Sequence, residues 1–288
     1  MSTLTPHIAL VPDSPSVTLA SVSGVAAAIQ KQVTRDFGPL WQIHATVDTF
    51  ENLEAVPVDY WPVIIRDDIK EPGAAGYHTD DHGQPFSLVQ ADPGWELTAS
   101  HEALEMLADP FGNRTLAGTP PPGSPEPIAG FSRVVYLVEV CDPCEADKYA
   151  YEVNGIHLSD FITPHYYDPN GATGVQYSFR GSVKEPHTVL EGGYVSFGNP
   201  VDNHWYQIIV QNGQPQVRDL GIISTTNGKS LRETIDRMVR DKLKDQHYRT
   251  KAPISGRAAM AAAATRSPLA ESSAARAKLL RTYVNELK

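Results

Sequence analysis

Apolar residues along the chain switch between the two spacings that separate helices from strands. Over residues 14–37, Val22, Val25, Ala26, Ile29 and Val33 recur at helical intervals. Ser14 or Ser16 can cap that segment, and Gly38-Pro39 is expected to stop it. Trp41, Ile43, Ala45 and Val47 then alternate with Gln42, His44 and Thr46, the period of a half-buried strand. Further strands are expected at 62–66 and 85–90. A second helix is expected over 93–109, opened by Asp92-Pro93 and closed by Asp109-Pro110. The Pro-rich stretch at 119–127 reads as a seam. Beyond it a strong strand is expected at 131–140, with shorter ones at 148–153, 174–180, 193–198 and 204–211.

Ser230-Leu-Arg-Glu233 is a capping box opening a helix that carries Leu231, Ile235, Val239 and Leu243 on one face. Residues 248–268, with an alanine-rich run at 258–264, read as a low-complexity linker. Ser267-Pro268 starts a terminal helix whose Leu279, Leu280, Tyr283, Val284 and Leu287 form a docking face. Together these elements predict an α+β fold. A lobe over 1–118, with a mixed twisted sheet and the helix at 93–109, is followed by a β-rich lobe over 119–227, a helix over 228–247, and a linker with terminal helix over 248–288.

Composition narrows the function classes. The chain has 288 residues and a formal net charge of −10, which argues against a general nucleic-acid binder because phosphate neutralisation needs a Lys/Arg surplus. There is no apolar run long enough for a membrane span. The opening Met-Ser-Thr-Leu-Thr-Pro-His lacks the basic and apolar regions of a secretory signal, so a cytoplasmic location is expected. Cys141 and Cys144, the only cysteines, exclude a disulfide scaffold; two buried small residues are expected, with half a zinc site or a redox pair as alternatives.

The chemistry concentrates on the second helix. At about 100° per residue, Leu97, Leu104, Leu107 and Ala108 form its apolar stripe. His101, Glu102, Glu105 and Asp109 share a sector roughly 100° wide beside it. One imidazole and three acids next to a core-facing stripe are costly unless paired or bound to a cation. His101 and Glu105, four residues apart, can ligate one ion from successive turns, and Glu102 can act as general base.

Ser-His-Glu-Ala-Leu-Glu at 100–105 resembles the His-Glu-x-x-His motif of zincin metallopeptidases, with Glu105 in place of the second histidine. The His-Glu-x-x-Glu form followed by Asp109-Pro110 is similar to a group of zincin-like proteins of bacteria and their phages. The likeness extends over roughly residues 15–210, through Gly76-Tyr-His78, Glu139-Val-Cys-Asp142 and Gly155-Ile-His-Leu-Ser-Asp-Phe161. It implies a zincin-like first lobe and a metallopeptidase with a peptide or protein substrate. It also implies one divalent metal, zinc above all, on His101, Glu105 and a downstream glutamate, for which Glu139 is the match. Asp142 would then orient the histidine; Asp142 or Asp109 as the further ligand stays open. Glu105 in place of a neutral imidazole adds negative charge and makes Mn²⁺ or Ca²⁺ more competitive.

An oxyanion-stabilising group is expected among His165, Tyr166, Tyr167 and His204, each of which also fits an ordinary loop or interface. His78 and His82 read as a surface turn, with an accessory cation site as the alternative. Asn227-Gly-Lys-Ser230 is not a phosphate loop, because Ile223 stands where its first glycine is required. The rival expectation is a non-catalytic zincin-like structural or adaptor protein of a phage or bacterial particle. Its terminal helix would dock on a partner or self-associate, unless it folds back on its own domain.

Overall fold

The computed structural model describes residues 5–71, 73–126, 128–245, 278–282 and 284. They form two compact units: one holds the residues up to Pro110, Glu152–Leu158 and those from 278 onward, and the other holds Phe111–Tyr151 and the rest from Ser159. The fold is α+β, with one mixed and one antiparallel five-stranded sheet.

In the first unit the sheet runs β2-β1-β3-β5-β4. β1 is His7–Asp13, β2 Thr46–Thr49, β3 Tyr60–Arg66, β4 Gly76–Asp81 and β5 Gln84–Gln90. The β1–β2, β1–β3 and β3–β5 pairs are parallel, and β4 lies antiparallel to β5 at the edge. β1 and β3 are buried on both faces, as parallel strands covered on each side must be. Ala9, Val11, Ile64, Phe86 and Leu88 point to one face, into a core that also holds Leu53, Val56, Leu280 and Val284.

The first helix departs from expectation at both ends. α1, Leu19–Lys31, is capped by Thr18, whose Oγ1 accepts from the Ser21 amide at 3.1 Å; Ser14 and Ser16 bond to each other instead. Gly38-Pro39 does not end it. The chain passes through a π-helical segment, Gln32–Phe37, into α2, Gly38–Trp41, with Pro39 in the first turn of α2. A side chain at 38 would press against the Ile43 and Val33 carbonyl oxygens, so close a return needs glycine. Trp41 therefore ends a helix, and the strand expected from it begins only at Thr46.

α3, Trp95–Ala108, is the expected second helix, although Gly94 at φ 93° precedes it in place of an Asp92 cap. It packs on β4 and β5.

The second unit begins with β6, Thr115–Gly118, and β7, Val134–Leu137, shorter than the strand expected at 131–140. A hairpin of β8, Tyr151–Val153, and β9, Ile156–Leu158, intervenes; its residues 152–158 belong to the first unit, where β9 packs on α1 and α3. β10, Tyr194–Asn199, β11, His204–Gln211, and β12, Gln214–Ile222, complete an antiparallel sheet of order β12-β11-β10-β7-β6. The expected strand at 174–180 reduces to a single bridge between Ile162 and Ser178.

α4, Leu231–Asp245, packs Ile235, Leu231, Met238 and Val239 against Leu137, Trp205, Leu220 and Ile223. Its capping box forms in full: the Glu233 amide donates to Ser230 Oγ at 3.0 Å, and the Ser230 amide to Glu233 Oε2 at 3.1 Å. The expected linker at 248–268, Tyr283, Leu287 and the Leu243 side chain lie outside the described residues. No described helix is long and apolar enough to cross a membrane.

Candidate metal centre

The register of the edge strand determines what meets α3. His78 pairs with Ser87 and Gly76 with Val89, so both lie on the sheet face that Ser87 shares with Met106 of α3. Gly76 lets the helix come close: a Cβ there would lie 2.6 Å from Thr98 Cγ2 and 2.9 Å from Glu102 Oε1. His78 then projects under α3, where its Nε2 donates to the Asp109 carbonyl oxygen at 3.0 Å, a bond that satisfies a carbonyl left over at the helix end.

Three of the expected residues come together here. His101 Nε2 lies 3.3 Å from Glu105 Oε1, while His78 Nδ1 lies 3.5 Å from Glu102 Oε2 and 3.7 Å from Glu105 Oε2. Glu102 and Glu105 are buried, and the His101 side chain keeps 13% of its exposure. Ligands at about 2.0–2.1 Å from a tetrahedral ion stand ~3.3–3.4 Å apart, close to these separations. Imidazole nitrogen with carboxylate oxygen is also a donor set that divalent transition metals accept. Buried histidine and glutamate side chains here could hold a metal ion. Asp109 is buried at the helix end, its amide donating to the Glu105 carbonyl at 2.7 Å.

His78 is a correction to the sequence reading. It is buried in the cluster, whereas His82 is exposed, 2.7 Å from Asp81. The turn lies at His82-Gly83 (φ 51° and 81°), one step past the strand that carries His78.

Glu139 and Asp142 belong to the second unit. Both are buried. Glu139 follows β7, with Oε1 3.3 Å from Arg232 Nε, a partner on α4 that the sequence reading did not anticipate. Asp142 opens a short 3-10 turn, Asp142–Cys144; Cys141 before it and Cys144 at its end are buried and unbridged.

The residues considered for an oxyanion are engaged within the second unit. His165 is exposed and bonded to Asp168 at 2.7 Å, and His204 bonds Asp219 at 2.6 Å while stacking on Tyr206. Tyr166 and Tyr167 are buried beside Tyr136 and His187, where burial drives the Tyr136 and Tyr166 hydroxyls well above their usual range. His187 stacks on Tyr136 at 5.1 Å, and burial lowers its ring to about 4. Asp160 accepts from the Phe161 and Arg180 amides, yet burial still raises it to about 6.

No protein-family model, curated protein or solved structure matches this chain in comparison.

Proposed function

We propose that this protein is a metal-dependent hydrolase acting on peptide or related amide bonds, with His101 and Glu105 as metal ligands and Glu102 as general base. The observation that carries the reading is the approach of His101 Nε2 to Glu105 Oε1 on successive turns of α3, at a separation suited to two ligands of one ion, with Glu102 buried beside them. Zinc is the expected metal, and the carboxylate share of the donor set leaves room for manganese. A divalent ion held there supplies Lewis acidity toward a carbonyl oxygen. His101 and Glu105 fix its place from successive helical turns. Glu102, one residue beyond His101 and buried, is placed to take up a proton at its carboxylate and return it to a leaving amine.

The test combines metal content with hydrolysis. Protein purified without chelator is expected to carry zinc or manganese that His101→Ala loses. Glu102→Gln is expected to retain the metal and lose cleavage of a peptide library. A chain that takes up no divalent metal after reconstitution would sink the proposal.

The depth of the cluster favours one rival, an ion with a purely structural role, since Glu105 is wholly buried and His78 joins β4 to α3. That reading, which fits a non-catalytic particle protein, expects chelation to lower Tm and Glu102→Gln to change no activity.

A further inference from the structure

The two oxygens of the Glu105 carboxylate face different histidines. Oε1 lies 3.3 Å from His101 Nε2, on the same helix, and Oε2 lies 3.7 Å from His78 Nδ1, on the edge strand. The tautomer of His78 follows from its other contact. A carbonyl oxygen only accepts, so Nε2, 3.0 Å from the Asp109 oxygen, carries the hydrogen. In the neutral ring the lone pair is then on Nδ1, the nitrogen turned toward Glu105 Oε2 and Glu102 Oε2. A ring whose far N–H is anchored on a backbone carbonyl, with its lone pair aimed among carboxylate oxygens, has the orientation of a metal-ligating imidazole.

We infer that the cluster binds two divalent cations bridged by Glu105. The first takes His101 Nε2 and Glu105 Oε1. The second takes His78 Nδ1 and Glu105 Oε2. The inference rests on the metal reading of α3 and adds a second ion of the same class, Zn²⁺ or Mn²⁺. Two ions sharing a carboxylate stand about 3.5–4 Å apart, close enough to interact magnetically.

The experiment loads metal-stripped full-length protein with Zn²⁺ or Mn²⁺ by equilibrium dialysis and counts ions per chain. The Mn²⁺ form is also examined by electron paramagnetic resonance. Two ions per chain and an exchange-coupled manganese signal are expected for the wild type. One ion and an uncoupled signal are expected for His78→Gln, whose amide can still donate to the Asp109 carbonyl. The wild-type spectrum tests the inference even if the variant does not fold. A wild type holding one ion with no coupling would overturn the second site, making His78 a hydrogen-bonding partner of Glu102, and would leave the hydrolase proposal standing. Two ions in folded His78→Gln would also overturn it. A wild type holding none would overturn both.

Discussion

Gly76 on the edge strand faces Glu102 on the helix so closely that a methyl group at 76 would lie 2.9 Å from the carboxylate oxygen. The Thr98 methyl is nearer still, at 2.6 Å. Gly76→Ala is therefore expected to push α3 away from β4. Overpacking of this kind costs about 1–3 kcal/mol. The same shift moves Glu102 and Glu105 relative to His78, and disturbing supports of this sort weakens metal binding by roughly 10–100-fold. Denaturant unfolding and a competitive zinc titration check the two effects. A variant unchanged in both would show that the helix tolerates a wider seat.

The Arg232–Glu139 pair is almost wholly buried, with 8% and 7% of the two side chains exposed. Removing one partner of a buried ion pair is costly, so Arg232→Met is expected to cost about 3–5 kcal/mol. Adding Glu139→Gln should recover most of that loss, and the double-mutant cycle in urea measures the coupling. A double variant whose cost equals the sum of the two single costs would show that the pair is not coupled.

Asp160 and His187 pull stability in opposite directions across one pH window. Burial raises Asp160 from 3.8 to about 6, so its unfavourable effect is absent below pH 4 and grows as pH rises through 6. A shift of that size corresponds to something on the order of 3 kcal/mol. Asp160→Asn keeps an oxygen for the Phe161 and Arg180 amides, and its stability relative to wild type should increase between pH 4 and 7. A flat difference over that range would remove Asp160 from the account.

His187 has the reverse sign. Burial lowers it from 6.5 to about 4, so its contribution is complete above pH 6.5 and is lost as pH falls toward 4. His187→Gln is expected to be most destabilising near neutrality and to approach wild type at pH 4. Unfolding midpoints at several pH values check the trend, and a penalty independent of pH would assign the histidine to packing alone.

Leu280 and Val284 sit in the first unit's core, and Arg281 forms a two-pronged pair with Glu54 at 2.7 and 2.9 Å. Leu280→Ala should cost about 2–5 kcal/mol. Arg281→Ala should cost about 1 kcal/mol or less, because both partners of that pair are a quarter or more exposed. Thermal unfolding of the two variants checks the order, and a reversed ranking would mean that the ion pair secures the segment.

What was legible in the sequence was mostly local. The Ser230–Glu233 capping box needs only four residues and forms as read. α3 was visible from its period, and with it the grouping of His101, Glu102 and Glu105. β4 was missed because Gly76-Tyr-His-Thr-Asp-Asp81 carries almost no apolar alternation; His78 is buried by the helix laid across it, not by its own strand's hydrophobicity. Asp81-His-Gly-Gln84 held a usable signal, since two residues at positive φ between paired strands form a type I′ turn. Asn212-Gly213 gave the same signal for β12, a strand too polar to reveal itself. The π-helical passage into α2 carries the helix past a Gly-Pro pair that local propensity reads as a stop.

The hairpin of β8 and β9 gives the two units an interleaved order of synthesis. The first unit takes residues 1–110 early, but its hairpin is 152–158 and its core also includes Leu280 and Val284. At roughly 5–20 residues per second, the ribosome needs about 9–35 s after residue 110 to supply Val284. During that interval the early core lacks Leu280 and Val284, so a nascent chain arrested before residue 280 leaves exposed the apolar face that these two residues cover.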